Sequence, residues 1–336
     1  MNEYIKLIAE QLMGSTVMIT GATGLIGKST VKSLIEYNRI CNEKKINVIA
    51  VARDKKKAEI CFKEYMCDEL KIHLSDVCDF HEPEFPVDYI IHAASVTSSM
   101  AFVNEPVETI FTALDGTRNL LEFARYNKIK GFVYLSSMEV YGTPTTDNKV
   151  REDHSTNINS MSVRSCYPES KRMCESLCAA YYYKYGVPVK VIRLTQTFGP
   201  GVKYTDGRVF AEFARCVIEK KDIILNTKGE TKRSYLYIED AVGAILTVLF
   251  KGKNGEAYNA ANEDTYCSIY DMALLVAREC ANGNINVVIN EKEDISKFGY
   301  AETLHMNLDV SKIESLGWHA ETNLIEMYKK MIADMN

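Results

Sequence analysis

The chain has 336 residues, with 45 acidic and 40 basic side chains and a formal net charge of −5 at pH 7. Charged residues make up 25% and hydrophobic residues 46% of the sequence, a composition that excludes a disordered or fibrous chain. The acidic balance and the lack of a basic block argue against nucleic acid or a membrane as the main partner. The length predicts two domains, or one large α/β domain with an appended lobe.

The sequence carries no targeting signal and no metal-binding motif. Its longest apolar run, residues 241–250, is about half of what a bilayer span needs, and the N-terminus lacks the basic and apolar regions of a signal peptide. We therefore expect a cytoplasmic protein. The ten cysteines are scattered, without Cys-x-x-Cys and without histidines at zinc spacing, which predicts reduced thiols and no metal site.

Hydrophobic periodicity predicts alternating strands and helices through the first half of the chain. An opening helix with an apolar face is expected to pack against the rest of the protein. The predicted strands span residues 16–20, 48–52, 72–74, 89–93, 131–135 and 189–193, and the predicted helices span residues 24–37, 109–125 and 167–185. Near-continuous apolar strands that alternate with helices are typical of a parallel sheet covered on both faces.

The alternation breaks at residues 199–201, Gly-Pro-Gly, and a helix is predicted at residues 209–219. We predict that residues 1–195 form the α/β domain and that residues 237–261 return to it. The remaining residues, 196–236 and 262–336, are predicted to form a smaller lobe over the C-terminal edge of the sheet. Ligands bind at that edge in open α/β sheets.

The first strand runs into a glycine-rich turn, G-A-T-G-L-I-G, that opens the first long helix. Glycines let the backbone approach a pyrophosphate, and the helix N-terminus offers free N–H groups and the positive end of its dipole. The spacing departs from the usual G-x-G-x-x-G, and a purely structural turn is the alternative. Its place between strand and helix favours dinucleotide binding through Gly21, Thr23, Gly24, Leu25, Ile26 and Gly27.

The ends of the second and third strands bear on the choice of cofactor. Asp54 can hold the ribose hydroxyl of NAD, whereas Arg53 can accept the 2′-phosphate of NADP or stack on adenine. NAD is the expected cofactor, and Arg53 leaves NADP open. Asp76 and Val77 are placed to reach the adenine ring. Solvated loop charges at Arg53 and Asp54, and an exposed turn at Asp76, are the alternatives.

Tyr167 and Lys171 lie four residues apart at a helix start and so share one face. A free tyrosine has a pKa of about 10, and a nearby lysine together with an oxidised nicotinamide lowers it. The pair can then take a proton from a sugar hydroxyl while hydride leaves for the cofactor. Ser136 or Ser137, at the end of the fifth strand, can orient that hydroxyl. An exposed lysine and routine serine caps are the alternatives.

These motifs together resemble the extended short-chain dehydrogenase/reductases of the nucleotide-sugar epimerase/dehydratase type. The matching pieces are residues 21–27, 92–95, 116–122, 136–137, 140–142, 198–200, 309–312 and 316–318, with Tyr167 and Lys171. The resemblance covers nearly the whole chain. It implies a Rossmann-type doubly wound sheet, a C-terminal nucleotide-sugar lobe and usually a homodimer. It also implies a bound NAD(P) that Ala93, Ala94 and Ser95 help to hold.

The resemblance further implies that a sugar hydroxyl, usually at C4, is first oxidised to a transient ketone. Glu139 stands where dehydratases and UDP-glucuronate decarboxylases carry a glutamate, and we expect it to act near C5; an ion pair at a loop is the alternative. Met138 stands where 4,6-dehydratases carry an aspartic acid. A thioether cannot donate a proton, so an ordinary 4,6-dehydratase is disfavoured.

Other stretches are similar to the UDP-glucuronate decarboxylase branch. Residues 164–172 resemble its R-x-C-Y-x-E-x-K-R stretch, and residues 206–209 its nucleotide-contacting segment. The likeness implies that Arg208, Val209 and Arg233 contact the substrate, with Arg233 on the diphosphate or on a carboxylate. Four departures lie near the expected sugar: Ser137 for threonine, Met138 for serine, Gln196 for asparagine and Gly201 for arginine.

The sequence thus predicts an NAD(P)-dependent enzyme that acts on a nucleotide-diphosphate sugar, with decarboxylase-type or dehydratase-type chemistry at C5. A nucleotide-sugar 4-epimerase similar to UDP-glucose 4-epimerases is the alternative reaction. A non-catalytic dinucleotide sensor on the same fold is a more remote alternative, since such proteins usually lose the Tyr–Lys pair that is present here.

Overall fold

The computed structural model describes residues 3–41, 43–291 and 303–336. In chain order its first part forms α1 (Glu3–Ala9), β1 (Thr16–Thr20), α2 (Leu25–Ile40), β2 (Asn47–Ala52), α3 (Lys55–Phe62), β3 (Leu70–Leu74), β4 (Tyr89–His92), α4 (Ser99–Asn104), α5 (Pro106–Asn127), β5 (Gly131–Ser137), α6 (Cys166–Tyr185) and β6 (Val189–Leu194). Short 3-10 turns at Met138–Tyr141 and Val163–Ser165 follow β5 and precede α6.

The second part of the chain adds shorter strands. It forms β7 (Gln196–Phe198), α7 (Val209–Glu219), β8 (Ile223–Leu225), β9 (Lys232–Tyr237), α8 (Ile238–Lys251), β10 (Ala257–Ala260), β11 (Asn262–Ser268), α9 (Ile269–Glu279), β12 (Val287–Ile289), β13 (His305–Met306), α10 (Ser311–Glu314) and α11 (Leu324–Met335).

The main sheet has seven strands in the order β10-β6-β5-β4-β1-β2-β3, and its neighbours pair in parallel. The order reverses between β1 and β4, where Thr20 pairs with His92. Two loops therefore leave the sheet side by side at this switch point, one after each strand, and open a crevice at the C-terminal edge. The predicted α/β class and doubly wound parallel sheet are confirmed.

Helices cover both faces of the main sheet because successive strand side chains point in opposite directions. Val17 and Ile19 of β1 belong to the core that contains the buried faces of α1, α2 and α8. Met18, between them, belongs to the opposite core, built with α5 and α6. The five residues of β1 are all buried, which is the reason for its continuous apolar sequence.

The opening helix α1 packs on α8, as expected, and buries Ile5, Ile8 and Ala9. Within the described residues, no helix is both long and apolar enough to cross a membrane.

A smaller layer of structure follows β6, and we call it the C-terminal layer. Strands β11, β9 and β13 form one sheet that β7 also joins, and β8 pairs with β12. Helices α7, α9 and α11 pack together beside them, around stacked rings of Phe198 and Phe210 and the buried Tyr328. Because β7 starts just after β6 ends, this layer joins the main sheet at its C-terminal edge. The residue boundaries between the two predicted domains stay a prediction.

Candidate active site

The glycine-rich turn after β1 is packed too tightly for side chains at two of its glycines. A Cβ added to Gly21, which has φ of +63°, would lie 2.7 Å from the Ala94 nitrogen and 2.8 Å from the Ala93 carbonyl. A Cβ at Gly27 would lie 2.3 Å from the Gly21 oxygen. Gly24 precedes the first residue of α2 as its N-terminal cap. The turn thus presents bare backbone at a helix N-terminus, which fits a pyrophosphate.

The other predicted residues of this region lie around the turn. Thr23 is half-buried in the turn, and Ser95 follows β4, where its hydroxyl donates to the Val96 carbonyl over 3.2 Å. Leu25 and Ile26, the first residues of α2, pack against the core of the C-terminal layer. The start of α2 therefore lies between the main sheet and that layer.

The buried side chains of His92, Thr20 and Thr117 form a hydrogen-bonded cluster next to the glycine-rich turn. His92 lies with its Nδ1 2.8 Å from the Thr20 hydroxyl and its Nε2 3.2 Å from the Thr117 hydroxyl. The Ala94 amide donates to the Thr20 hydroxyl over 3.3 Å. Burial, with a contribution from the Lys171 charge, lowers the pKa of His92 to about 3. His92 is therefore neutral, and its hydrogen bonds link β4 to β1 and α5.

The residues predicted at the adenine end come together at the ends of β2 and β3. Arg53 Nη1 lies 3.6 Å from Asp76 Oδ2, and the Arg53 side chain is 74% exposed. Asp76 Oδ1 accepts the Cys78 amide over 2.8 Å. Asp54 Oδ1 accepts the Lys57 amide over 3.0 Å and so caps α3. Asp54 thus bonds the protein through one oxygen, whereas both oxygens of Asp76 have a partner, the Cys78 amide and Arg53.

Val77 is buried against α5. A Cβ at Gly116 would lie 2.7 Å from a methyl carbon of Val77, and the Asn119 amide donates to the Val77 carbonyl over 3.0 Å. The 116–122 stretch quoted above thus holds the loop after β3 in place.

Tyr167 and Lys171 are both buried on the face of α6 that lies under β5. Lys171 Nζ donates to the Leu135 carbonyl over 2.8 Å and lies 5.8 Å from the Tyr167 ring centroid. Burial lowers the pKa of Lys171 to about 8. Within the described residues, the Leu135 carbonyl is the one hydrogen-bond acceptor of this ammonium group.

The protein's own groups raise the pKa of Tyr167, whereas the lowering expected above also includes the charge of an oxidised nicotinamide. Burial is the main cause, and the Glu139 charge adds to it. A hydrogen bond with Ser137 and the charges of Arg164 and Arg208 act in the opposite direction. Burial dominates because the phenolate would have to leave water. The surroundings within the protein therefore favour the neutral phenol.

The two candidate serines have different surroundings. Ser137 is in hydrogen-bonding reach of the Tyr167 phenol and also accepts the Glu139 amide over 3.2 Å. Ser136 donates instead to Glu175, whose carboxylate forms a two-pronged ion pair with Arg193. Of the two, Ser137 is therefore the one beside the Tyr167 phenol.

Glu139 lies in the 3-10 turn after β5, and its Oε2 accepts from Arg164 Nη2 over 2.8 Å. The Arg164 guanidinium carbon lies 4.7 Å from the Phe102 ring centroid, and that ring stacks on Tyr167. Sequence reasoning singled out neither Arg164 nor Phe102 as a site residue. The position of Arg164, three residues before Tyr167, was a usable signal, whereas nothing in the sequence pointed to Phe102.

The predicted substrate residues lie in the C-terminal layer. Just before α7, Arg208 donates through Nε to Oδ1 and through Nη2 to Oδ2 of Asp206, and Val209 is the first residue of that helix. Arg233 Nη1 donates to Gln196 Oε1 over 2.9 Å. Within the described part of the chain, the buried Arg233 Nε has no hydrogen-bond partner. The charge of Arg208 acts on Tyr167, so this layer faces the phenol.

Met138 is buried in the main core and accepts a hydrogen bond on sulfur from the Thr195 hydroxyl over 3.3 Å. The ten cysteines all carry free thiols. In residues 3–41, 43–291 and 303–336, no group of three or more His, Cys, Asp or Glu side chains is placed to hold a metal ion.

Comparisons with known proteins give a consistent result. The family model described as "NAD dependent epimerase/dehydratase family" matches residues 17–261. UDP-glucuronic acid decarboxylase 6 of Arabidopsis thaliana is 29% identical over 315 residues, covering 92% of this chain and 85% of the relative.

Two solved structures share the fold. UDP-glucose 4-epimerase of Thermotoga maritima, solved with UDP-glucose, has a TM-score of 0.79 at 22% identity, over 95% of this chain and 98% of its own. UDP-glucuronic acid 4-epimerase of Bacillus cereus, solved with NAD, has a TM-score of 0.78 at 18% identity and the same coverage. At these identities the likeness shows the fold alone.

Proposed function

The chain belongs to the NAD-dependent epimerase/dehydratase family, and on that premise we propose that it decarboxylates a nucleotide-linked uronate through a transient 4-keto sugar. The observation that carries the proposal is the juxtaposition of Tyr167, with Ser137 beside its phenol, and a carboxylate, Glu139, whose charge reaches the same phenol. The likeness to UDP-glucuronic acid decarboxylases over 92% of the chain supports the choice of substrate class.

The proposed chemistry divides between the groups at C4 and at C5 of the sugar. An NAD cofactor, when bound, supplies the acceptor for the hydride that leaves C4. Tyr167 takes the proton of the C4 hydroxyl, which Ser137 orients. The ketone makes a C5 carboxylate a β-keto acid, which loses carbon dioxide readily. Loss of carbon dioxide breaks the C5–C6 bond and leaves an enolate that takes up one proton at C5, and we assign that proton transfer to Glu139. Return of the hydride to C4, with the proton held by Tyr167, would then restore the alcohol.

The residues around the glycine-rich turn fit a dinucleotide. We propose that the backbone of residues 21–27 holds its pyrophosphate with the loop at residues 93–95, that Asp76 and Val77 border its adenine, and that Lys171 binds its nicotinamide ribose. We propose NAD rather than NADP because two carboxylates, Asp54 and Asp76, follow the ends of β2 and β3, where their charge would repel a 2′-phosphate. Arg53, the one feature favouring NADP, already pairs with Asp76.

The substrate is proposed to lie against the C-terminal layer. Arg208 and Arg233 are the guanidinium groups available for its diphosphate, with Gln196 and Val209 beside them. The unpartnered buried Nε of Arg233 supports this assignment, since a buried donor without a partner is costly unless a ligand satisfies it.

A nucleotide-sugar 4-epimerase is the second candidate. It is favoured by the Arg164 ion pair, which gives Glu139 a structural role that needs no C5 chemistry. Glu139→Gln separates the two reactions. A 4-epimerase should tolerate the change, whereas a reaction that needs the carboxylate near C5 should slow about 10²-fold or more.

Product masses test the proposed function directly. The protein is incubated with NAD and a panel of nucleotide sugars that includes UDP-glucuronate and UDP-glucose. Loss of carbon dioxide supports the decarboxylase, loss of water indicates a dehydratase, and unchanged mass with a new isomer indicates the epimerase. Tyr167→Phe, the matched control, should keep NAD binding and lose nearly all turnover in each case. No change with any sugar would refute the proposal.

We further propose that the protein is a homodimer. Four apolar side chains, Met100 and Val103 of α4 with Val107 and Phe111 of α5, are exposed on two helices that pack together. This α4–α5 apolar patch is a surface that a second copy of the chain would cover.

A further inference from the structure

Three side chains from different elements form a stack beside the candidate base. The Phe102 ring of α4 lies parallel to the Tyr167 ring, with centroids 4.4 Å apart and an interplanar angle of 15°. On Phe102 rests the guanidinium of Arg164, at 4.7 Å from the ring centroid. Cys166 Sγ donates to the Phe102 carbonyl over 3.2 Å and ties α4 to the start of α6. Arg164 is therefore held at a defined place.

The same guanidinium fixes Glu139. Arg164 Nη2 lies 2.8 Å from Glu139 Oε2, and the two side chains are 22% and 30% exposed. A charge-assisted bond in such a half-buried place is stronger than one in water. Within the described residues, Glu139 Oε1 accepts no hydrogen bond from the protein. One carboxylate oxygen is thus anchored while the other stays available.

Four charged groups on separate parts of the fold surround the Tyr167 phenol. Glu139 comes from the turn after β5, Arg164 from the turn before α6, Arg208 from the start of α7, and Lys171 from α6 itself. The Glu139 carboxylate is the one negative charge in this set, and it opposes ionisation of the phenol. A carboxylate needed near C5 therefore works against the base at C4 unless a cation compensates it.

We propose that Arg164 is a positioning residue that anchors Glu139 beside Tyr167 and offsets its charge there, so that the base and the C5 carboxylate operate in one site. This inference rests on the proposed function, since it gives Glu139 a task at C5. Arg164 acts through Glu139 and Tyr167. The substrate diphosphate is bound instead by Arg208 and Arg233 of the C-terminal layer.

The test compares pH profiles for nicotinamide reduction, followed by its absorbance after mixing enzyme, NAD and UDP-glucuronate or UDP-glucose. Arg164→Met keeps an apolar stem on Phe102 and removes the charge. We expect the ascending limb of its profile to move upward by about one pH unit, because Glu139 is no longer compensated. Arg164→Met with Glu139→Gln should return the limb to the wild-type position, since both charges are then gone.

One further variant provides a second test of the Arg164 charge, and another is a control. Arg164→Lys retains the charge and should place the limb between those of wild type and Arg164→Met, which keeps the test valid if Arg164→Met folds poorly. Arg278→Met removes an exposed arginine of α9 that pairs with Glu279 and should leave the profile unchanged. Far-UV circular dichroism and NAD affinity, measured on each variant, report whether the fold and the cofactor site are intact.

A limb that stays in place in folded Arg164→Met and Arg164→Lys would overturn the inference, as would a double variant that keeps the displaced limb. Carbon dioxide release by the wild-type enzyme is measured in parallel. If no carbon dioxide is released, the proposed decarboxylase function is refuted. The role of Arg164 is then still decided by the shift of the ascending limb, because nicotinamide reduction precedes any step at C5.

Discussion

At the scale of single residues, His92 is a titratable group that the fold keeps neutral. Its pKa is lowered to about 3 by burial, against about 6.5 in an unfolded chain. The unfolded state therefore binds more protons below about pH 6.5, and stability is lost as the pH falls. We expect His92 alone to cost about 2 kcal/mol of the free energy of unfolding between pH 7 and pH 5.

Urea unfolding of His92→Asn at several pH values measures this effect. The amide can still bond the Thr20 and Thr117 hydroxyls, so the protein should fold with a lower baseline stability and a flatter dependence on pH. His319→Asn, at a half-exposed imidazole beside Glu314, is the control and should keep the wild-type dependence. A slope in His92→Asn equal to that of wild type would show that other groups cause the acid sensitivity.

The sequence predicted the position of a side chain on its own helix or strand better than it predicted the burial and charges around that side chain. The spacing of Tyr167 and Lys171 predicted that both lie on one face of a helix, since that depends on helix geometry alone. The pKa of Tyr167 depends on burial and on charges from other elements, and the lowering expected from Lys171 together with an oxidised nicotinamide stays a prediction. Ser136 and Ser137 are neighbours in sequence, but a strand sends them to opposite faces.

At the scale of elements, a buried ion pair joins α6 to β6. The Arg193 guanidinium donates through Nε to Oε1 and through Nη2 to Oε2 of Glu175, and each of the two side chains is 13% exposed. Glu175 also accepts from Ser136, and Arg193 Nη1 donates to the Tyr141 hydroxyl over 2.8 Å. The network thus fixes the end of β5 relative to the helix that carries Tyr167.

Arg193→Met should lower the free energy of unfolding by about 3–5 kcal/mol, because it leaves a buried carboxylate unpaired. Adding Glu175→Leu should recover much of the loss, since the pair is then replaced by apolar groups. Arg118→Met, which breaks the more exposed pair with Asp115 on α5, should cost at most about 1 kcal/mol. Urea unfolding compares the three, and equal losses for the single and double variants would contradict the network's role.

The six strands and three long helices predicted for the first half agree with the structure because each has a strong apolar pattern, whereas the short helices α3 and α4 were not predicted. The predicted helix at 109–125 is Pro106–Asn127 in the structure, with Pro106 at its first turn and Lys128 in a left-handed conformation at its end. Strands β7, β8, β12 and β13 have only two or three residues. They pair with distant segments, so their sequences alone carry too little pattern to predict them.

At the scale of the whole molecule, the switch point of the main sheet and the C-terminal layer face each other across the phenol of Tyr167. The class of fold could be predicted from the order of motifs, because a parallel sheet with one glycine-rich turn has few topologies. How the C-terminal layer packs on the sheet could not be predicted, since contacts such as that of Leu25 with the core of this layer join residues far apart in sequence.

Assembly is the remaining property at this scale, and the α4–α5 apolar patch makes it testable. Val107 and Phe111 lie four residues apart and share one face of α5, and both are more than half exposed. A second copy that covers them would gain about 25 cal/mol for each Å² of apolar surface removed from water. We therefore expect the wild-type protein to elute with twice the mass of one chain in size-exclusion chromatography with light scattering.

Phe111→Glu should convert that dimer to a monomer at micromolar concentration, because the dimer would have to bury an unpaired charge. Ile60→Glu is the matched control, since Ile60 is an exposed apolar residue of α3, a helix outside the proposed interface. It should leave the dimer intact. A monomeric wild type would refute the homodimer. Dissociation by both variants would contradict an interface formed by α4 and α5.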